Sequence, residues 1–157
     1  MRTLDIQLNL TSETVQQAAV VEPLAVEPNT PIRDVLTLLK ERGIGSTLIC
    51  QEGVLKGIFT ERDALRVMAA GSDLDASIES VMTADPVTLR PTDTMAKAIK
   101  TMSSGGYRRL PIVDDAMRPV GIIKVSGIVH YLVDHFPEAV YNLPPDPHQV
   151  MPEREGA

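Results

Sequence analysis

The chain has 157 residues, enough for one domain with a true core or for two small halves that share one. Hydrophobic residues make up 43% and charged residues 23%, the balance of a globular protein, and a net charge of −6 argues against a nucleic-acid-binding surface. Cys50 is the only cysteine, which excludes an intrachain disulfide. No apolar run nears the ~20 residues of a membrane span, and Met1 to Leu10 lacks a signal-peptide core, so the expectation is a cytoplasmic protein without a membrane partner.

Residues 1–13 read as an N-terminal arm, and an internal repeat follows. Thr14 to Ala19 aligns with Ser77 to Met82 as a short lead-in helix. Pro23-Leu24-Ala25-Val26-Glu27-Pro28 aligns with Pro86-Val87-Thr88-Leu89-Arg90-Pro91 at an offset of 63. Two amphipathic helices come next. Ile32, Val35, Leu36 and Leu39 carry the first apolar stripe; Met95, Ala98, Ile99 and Met102 carry the second. Thr30 and Asp93 stand before them as expected caps.

Past the helices the alignment runs at an offset of 64, which places a one-residue insertion near Gly105-Gly106. Thr47-Leu48-Ile49 then matches Pro111-Ile112-Val113, and Val54 to Phe59 matches Arg118 to Ile123. Each pair reads as two apolar strands joined by a polar turn, at Gln51-Glu52-Gly53 and at Asp114 to Met117. Helices are expected over Asp63 to Ala70 and over Gly127 to Val133, the latter capped by Ser126. The division is repeat one at 14–71, repeat two at 72–136 with its lead-in from about 76, and a Pro-rich tail at 137–157. The tail reads as an extended or disordered arm, and its residues after about Leu143 as dispensable for folding and ligand binding. The fold class is α/β (α+β in some schemes): two pseudo-symmetric halves, each a small sheet with flanking helices. One half cannot cover its own sheet, so the two must pack together.

Gly57-Ile58-Phe59-Thr60-Glu61-Arg62-Asp63 runs from strand into helix and admits two readings. Thr60 and Asp63 have the spacing of a capping box. The same helix start offers free N–H groups and a positive dipole end to a phosphate, with Asp63 able to accept from two neighbouring hydroxyls. Other candidates are weaker. His130 and His135 are five apart and share no helical face, no Cys/His cluster has zinc spacing, and no metal is expected. Cys50 reads as a small buried hydrophobe, and Met68, Met82, Met95 and Met102 as helical core.

The duplicated order of elements, with "GIFTERDAL" closing the first copy and "RRLPIVDDAMRPVGII" in the second, resembles a tandem cystathionine-β-synthase (CBS) domain pair, or Bateman module. The lead-in "SVMTADPVTLRPTDTMAKAIKTM" adds to the likeness, which spans residues 14–136. The resemblance implies a stand-alone regulatory module rather than an enzyme. Its ligand would be an adenosine nucleotide (AMP, ADP or ATP), with S-adenosylmethionine as an alternative, bound in a cleft between the repeats. It also implies energy sensing, an unidentified regulated partner and a homodimer. By the same resemblance Thr60 and Asp63 contact ribose and phosphate, with Arg62 beside them. The stretch from Met82 and Thr83 through Val87 holds the base, and Ile44 and Ser46 form a further wall. In the second repeat Thr60 is replaced by Lys124 and Asp63 by Gly127. Arg108, Arg109 and Lys124 then mark a possible second anion site, unless the arginines are solvated edge charges paired with Asp114 or Asp115. The competing reading of the whole chain is a structural or dimerisation module without ligand.

Overall fold

The computed structural model describes residues 10–17 and 20–135. The tail from 137 and most of the N-terminal arm lie outside the described residues. The first half comprises β1 (Ala25–Val26), α1 (Ile32–Arg42), β2 (Ser46–Gln51), β3 (Val54–Thr60) and α2 (Glu61–Ala70). The second comprises β4 (Thr83–Ala84), α3 (Met95–Gly105), β5 (Arg109–Val113), β6 (Pro119–Lys124) and α4 (Val125–His135). The expected lead-in helices are single 3-10 turns, Val15–Gln17 and Ile78–Ser80.

The helical stripes bury as their spacing requires. Ile32, Val35 and Leu39 are buried on α1, and Met95, Ala98 and Met102 on α3. A fully buried aliphatic side chain of this size contributes about 1.5–3 kcal/mol relative to exposure. Both helices end at a left-handed glycine, Gly43 (φ 61°) and Gly106 (φ 67°). The caps fall elsewhere than expected. Thr30 does not cap α1, whose N-cap position is Pro31 without a side-chain bond. The free N–H groups of Ile32 and Arg33 instead donate to the carbonyls of Ala76 (3.0 Å) and Leu74 (2.9 Å), so another segment satisfies the helix end. On α3 the cap is Thr94, whose hydroxyl accepts from the Lys97 N–H at 3.1 Å. Asp93 lies just outside it. Burial alone would raise the Asp93 carboxyl. The Arg90 N–H (2.8 Å) and the Lys97 ammonium (2.9 Å) outweigh that and hold it below the usual carboxylate range. Ser126 lies inside the first turn of α4, which starts at Val125, and so does not cap it.

The strand register moves the repeat's insertion. Thr47 pairs with Phe59, and Leu110 with Ile123, so β2 and β5 correspond at an offset of 63, β3 and β6 at 64. The extra residue sits in the second hairpin. Residues 51–54 separate Cys50 from its partner Leu55, whereas 114–118 separate Val113 from Pro119. Glu52 (φ 52°) and Gly53 (φ 80°) turn the first hairpin in two residues. Asp114 builds the longer turn, its Oδ1 accepting from the N–H groups of Ala116 and Arg118 at 2.9 Å each. At the corrected register Gly45 corresponds to Arg108, Ser46 to Arg109 and Ile44 to Tyr107.

The lead-ins are exchanged between the halves. β4 adds to the first sheet, giving the order β1-β2-β3-β4, with Ile58 opposite Thr83. Reciprocally, Val21 bridges Ile122 of β6. Ile78 is fully buried in the first-half core with Ile32, Ile49 and Phe59, while Val15 is fully buried in the second-half core with Met95, Leu110 and Ile123. A third cluster of Leu48, Cys50, Leu55, Ile58, Val113 and Ile122 draws on both sheets and joins the halves. Cys50 is buried there, and burial, with the Glu27 charge adding, pushes its thiol up and away from the reactive thiolate. Met95 and Met102 occupy core positions as expected. Met68 does not: it is 62% exposed, on the outer face of α2, and Met82 belongs to the strand entry rather than a helix.

Candidate functional site

β3 ends and α2 begins at Thr60. The capping box is complete: the Thr60 N–H and hydroxyl both donate to Asp63 Oδ2 (2.9 and 3.1 Å), and the Asp63 N–H donates to Thr60 Oγ1 (3.5 Å). Asp63 is 6% exposed. Its second oxygen, Oδ1, has only long contacts, to the Thr83 hydroxyl (3.4 Å) and to Arg66 Nη1 (3.8 Å). One oxygen is therefore committed to the helix start, and the other retains capacity for a hydroxyl donor. Thr83 comes from the exchanged strand β4, so this carboxylate also ties the second half's lead-in to the first half.

A cleft of about 590 Å³ opens beside this helix start. One wall is Ile58 and the first turns of α2, with Thr60, Glu61, Arg62, Asp63, Leu65 and Arg66. A second is the lead-in, with Thr83, Asp85, Pro86 and Val87. The third runs from the end of α3 into β5, from Gly106 to Pro111, and carries Tyr107, Arg108 and Arg109. A smaller cavity of about 280 Å³, lined by Val67, Ala70, Val81 and Met82, shares Asp63, Arg66 and Thr83 with it.

Thr60, Arg62, Asp63, Thr83 and Val87 thus meet in one cleft. Arg108 and Arg109 line the same cleft. Lys124 pairs across the strands with Arg109 but is not among the lining residues. Ile44 and Ser46 do not line the cleft: Ile44 packs on the first-half core and Ser46 is 6% exposed. The wall expected of them is made by their second-half counterparts, Tyr107 and Arg109. Met82 lines the smaller cavity alone.

The cleft gathers four arginines in an acidic protein. Arg66 is paired with Asp63, but among the described residues Arg62, Arg108 and Arg109 make no ion pair. Asp115 is taken by Arg90, and Asp114 by its own turn. Arg109 lies across Gly45, where an added Cβ would overlap its guanidinium, and its buried Nε has no hydrogen-bond partner. Unpaired guanidinium donors beside a helix N-terminus suit a phosphate. Among the described residues no His/Cys/Asp/Glu group is arranged to hold a metal, and no helix is long and apolar enough to cross a membrane.

Residues 15–70 and 78–134 each match the CBS domain. The chain belongs to the CBS domain family. It is 33% identical over 116 residues to the CBS domain-containing protein YhcV of Bacillus subtilis, a match covering 73% of this chain and 82% of that protein. The CBS domain pair of protein MJ0100, solved with 5′-methylthioadenosine and S-adenosyl-L-methionine, superposes with a TM-score of 0.70 at 24% identity, over 78% of this chain and 97% of that one. The CBS domain protein PAE2072 of Pyrobaculum aerophilum, solved with AMP, gives 0.69 at 22% identity, over 77% and 98%. At these identities the likeness to solved structures shows the shared fold.

Several lining residues of this CBS pair escaped the sequence reading. Arg66 carried a signal, standing one helical turn after Asp63. Tyr107 carried another: an aromatic directly after a Gly-Gly helix stop, in a chain with 3% aromatics. Asp85 and Pro86 fall inside the stretch from Met82 to Val87 expected to hold the base, and the pairing of β4 with β3 brings that stretch to the cleft.

Proposed function

We propose that this CBS pair is a regulatory module that binds an adenosine nucleotide, AMP, ADP or ATP, in the cleft beside Thr60 and Asp63. The observation that carries the reading is the joining, in one cleft, of a carboxylate oxygen open to a ribose hydroxyl with unpaired arginines from the other half. A nucleotide placed there touches both halves at once. Its binding energy then favours one arrangement of the halves, and a partner that reads this arrangement is regulated by population shift. The ligands of the solved neighbours, AMP in one and S-adenosyl-L-methionine with 5′-methylthioadenosine in the other, support an adenosine compound. The unpaired arginines favour the phosphorylated class, because S-adenosylmethionine carries a sulfonium and an ammonium against a single carboxylate, whereas a nucleotide brings only negative phosphate.

A thermal-shift screen tests this. At a hundredfold excess over Kd a ligand that binds only the native state adds ~2.7 kcal/mol. For a chain of this size that raises the midpoint by roughly 5–10 °C. AMP, ADP or ATP is expected to give such a shift, and S-adenosylmethionine or NAD a smaller one. A flat response to all five leaves the structural reading, in which Thr60 and Asp63 only cap α2.

The homodimer is likewise proposed. The Ile32–Leu39 and Met95–Met102 stripes are consumed by the two cores. The large apolar side chains that the described helices leave exposed are Leu65 and Met68 of α2 and Val125 and Val129 of α4. Sedimentation at micromolar concentration is expected to give twice the chain mass of 17.1 kDa, and a species at 17.1 kDa alone excludes the dimer.

A further inference from the structure

The fold places the same motif at the ends of α1 and α3 and fills it differently. In each a left-handed glycine is followed by a residue whose N–H reaches back five positions: Ile44 to Leu39 and Tyr107 to Met102, both at 3.1 Å. The residue after the glycine in this motif ordinarily packs back on the last helical turns. Ile44 does so, against the first-half core. Tyr107 does not. It stays 40% exposed and lines the cleft. Its ring lies over Gly105, where an added Cβ would overlap the ring carbons. The glycine thus leaves the aromatic a shelf outside the core.

Among the described residues the other aromatics are used internally. Phe59 is fully buried, and Tyr131 is buried and stacked on His135 with ring centroids 4.1 Å apart. Tyr107 alone keeps its ring open to solvent. Two further exposed apolar side chains, Val87 and Leu65, line the same cleft. Arg108 and Arg109 follow Tyr107 directly on the same wall. An aromatic surface next to two unpaired guanidinium groups matches a ligand with a flat ring at one end and phosphate at the other.

We infer that Tyr107 is the base-stacking residue of this cleft, its ring receiving the nucleobase while Arg108 and Arg109 receive the phosphate. This rests on the nucleotide reading of the cleft. Stacking uses the face of the ring and not the phenol hydroxyl, and every purine offers such a face, so the contribution is strong and tolerant of base identity.

The chain contains no Trp and three Tyr, so tyrosine emission includes this ring, and a change that disappears in Tyr107→Phe belongs to it. AMP, GMP and ribose 5-phosphate are titrated into the full chain, by calorimetry and by tyrosine fluorescence. The parent is expected to bind AMP and GMP within a few-fold of each other, with quenched emission, and ribose 5-phosphate roughly tenfold or more weakly. Tyr107→Ala should lose about tenfold in AMP affinity, keep its ribose 5-phosphate affinity and lose the quenching. Tyr107→Phe should bind AMP as the parent does, with the quenching gone. Thermal midpoints near the parent's establish that both variants are folded. If the parent binds AMP and Tyr107→Ala binds it equally well, stacking is overturned while the nucleotide reading stands. Equal losses in the Ala and Phe variants overturn the ring-face account in favour of the hydroxyl. If the parent binds none of the three and neither ADP nor ATP, the nucleotide reading itself fails, and Tyr107's role with it.

Discussion

Replacing Asp63 by Ala is expected to weaken AMP binding by tenfold or more and to lower stability in the same variant. The two effects come from different oxygens. Oδ2 closes the capping box with the Thr60 N–H and hydroxyl, and losing a cap costs about 0.5–2 kcal/mol. Oδ1 has only its two long contacts and is the acceptor left for a ribose hydroxyl. A hydrogen bond to a charged acceptor is worth ~1.5–3 kcal/mol, which is roughly ten- to a hundredfold in Kd. Calorimetry with AMP reads the second effect, and the thermal midpoint reads the first. Lys124→Ala is the control: Lys124 does not line the cleft, so AMP affinity should hold. If Asp63→Ala binds AMP like the parent while its midpoint falls, Asp63 is a structural cap only.

The second large effect is expected at Gly57. A Cβ at this position would overlap Met82 Sδ and stand 3.0 Å from the Thr83 carbonyl oxygen. The Met82 side chain can swing away, but the Thr83 backbone cannot without giving up its pairing with Ile58. Gly57→Val adds two methyl groups at the same point. Overpacking of this kind costs about 1–3 kcal/mol, or a fall in midpoint of roughly 3–10 °C. Because β4 carries Thr83 into the cleft, AMP affinity should fall along with stability. Gly57→Val combined with Met82→Ala should recover part of the stability, since the contacts couple. Full additivity of the two substitutions, or a parent-like Gly57→Val, would show that the exchanged strand does not press on β3. The glycine that begins the strand-to-helix motif is thus explained by the close crossing of a segment from the other half, not by a turn.

Local patterns in the sequence carried the elements, and they carried them well. The apolar stripes of α1 and α3 repeat at helical spacing because one face must bury, and they do bury. Thr60 and Asp63 form a capping box because three residues separate a helix's cap from its third residue, wherever the helix sits. Glu52-Gly53 turns a hairpin because both positions hold left-handed backbone. Duplication of these signals was enough to reveal two halves and to suggest the CBS pair.

What lay beyond reach depended on which surfaces meet. The insertion was misplaced because Thr47-Leu48-Ile49 matches Leu110-Pro111-Ile112 about as well as Pro111-Ile112-Val113; apolar runs without alternation carry no register, and the hydrogen-bond ladder decides. Thr30 stands where a cap belongs, but the sequence does not show that the Ala76 and Leu74 carbonyls arrive to satisfy the end of α1. Met68 keeps helical spacing with the core residues, yet among the described residues no element covers it, and it stays 62% exposed. The exchange of lead-ins has no periodic signature at all, and it alone brings Thr83 to Asp63. The meeting of Asp63 with Arg109 across the cleft, 46 positions apart in the chain, follows from the packing of one half on the other. Side-chain spacing fixes what a helix or strand presents. Only burial of the shared apolar cluster, Leu48 and Ile58 against Val113 and Ile122, settles what it is presented to.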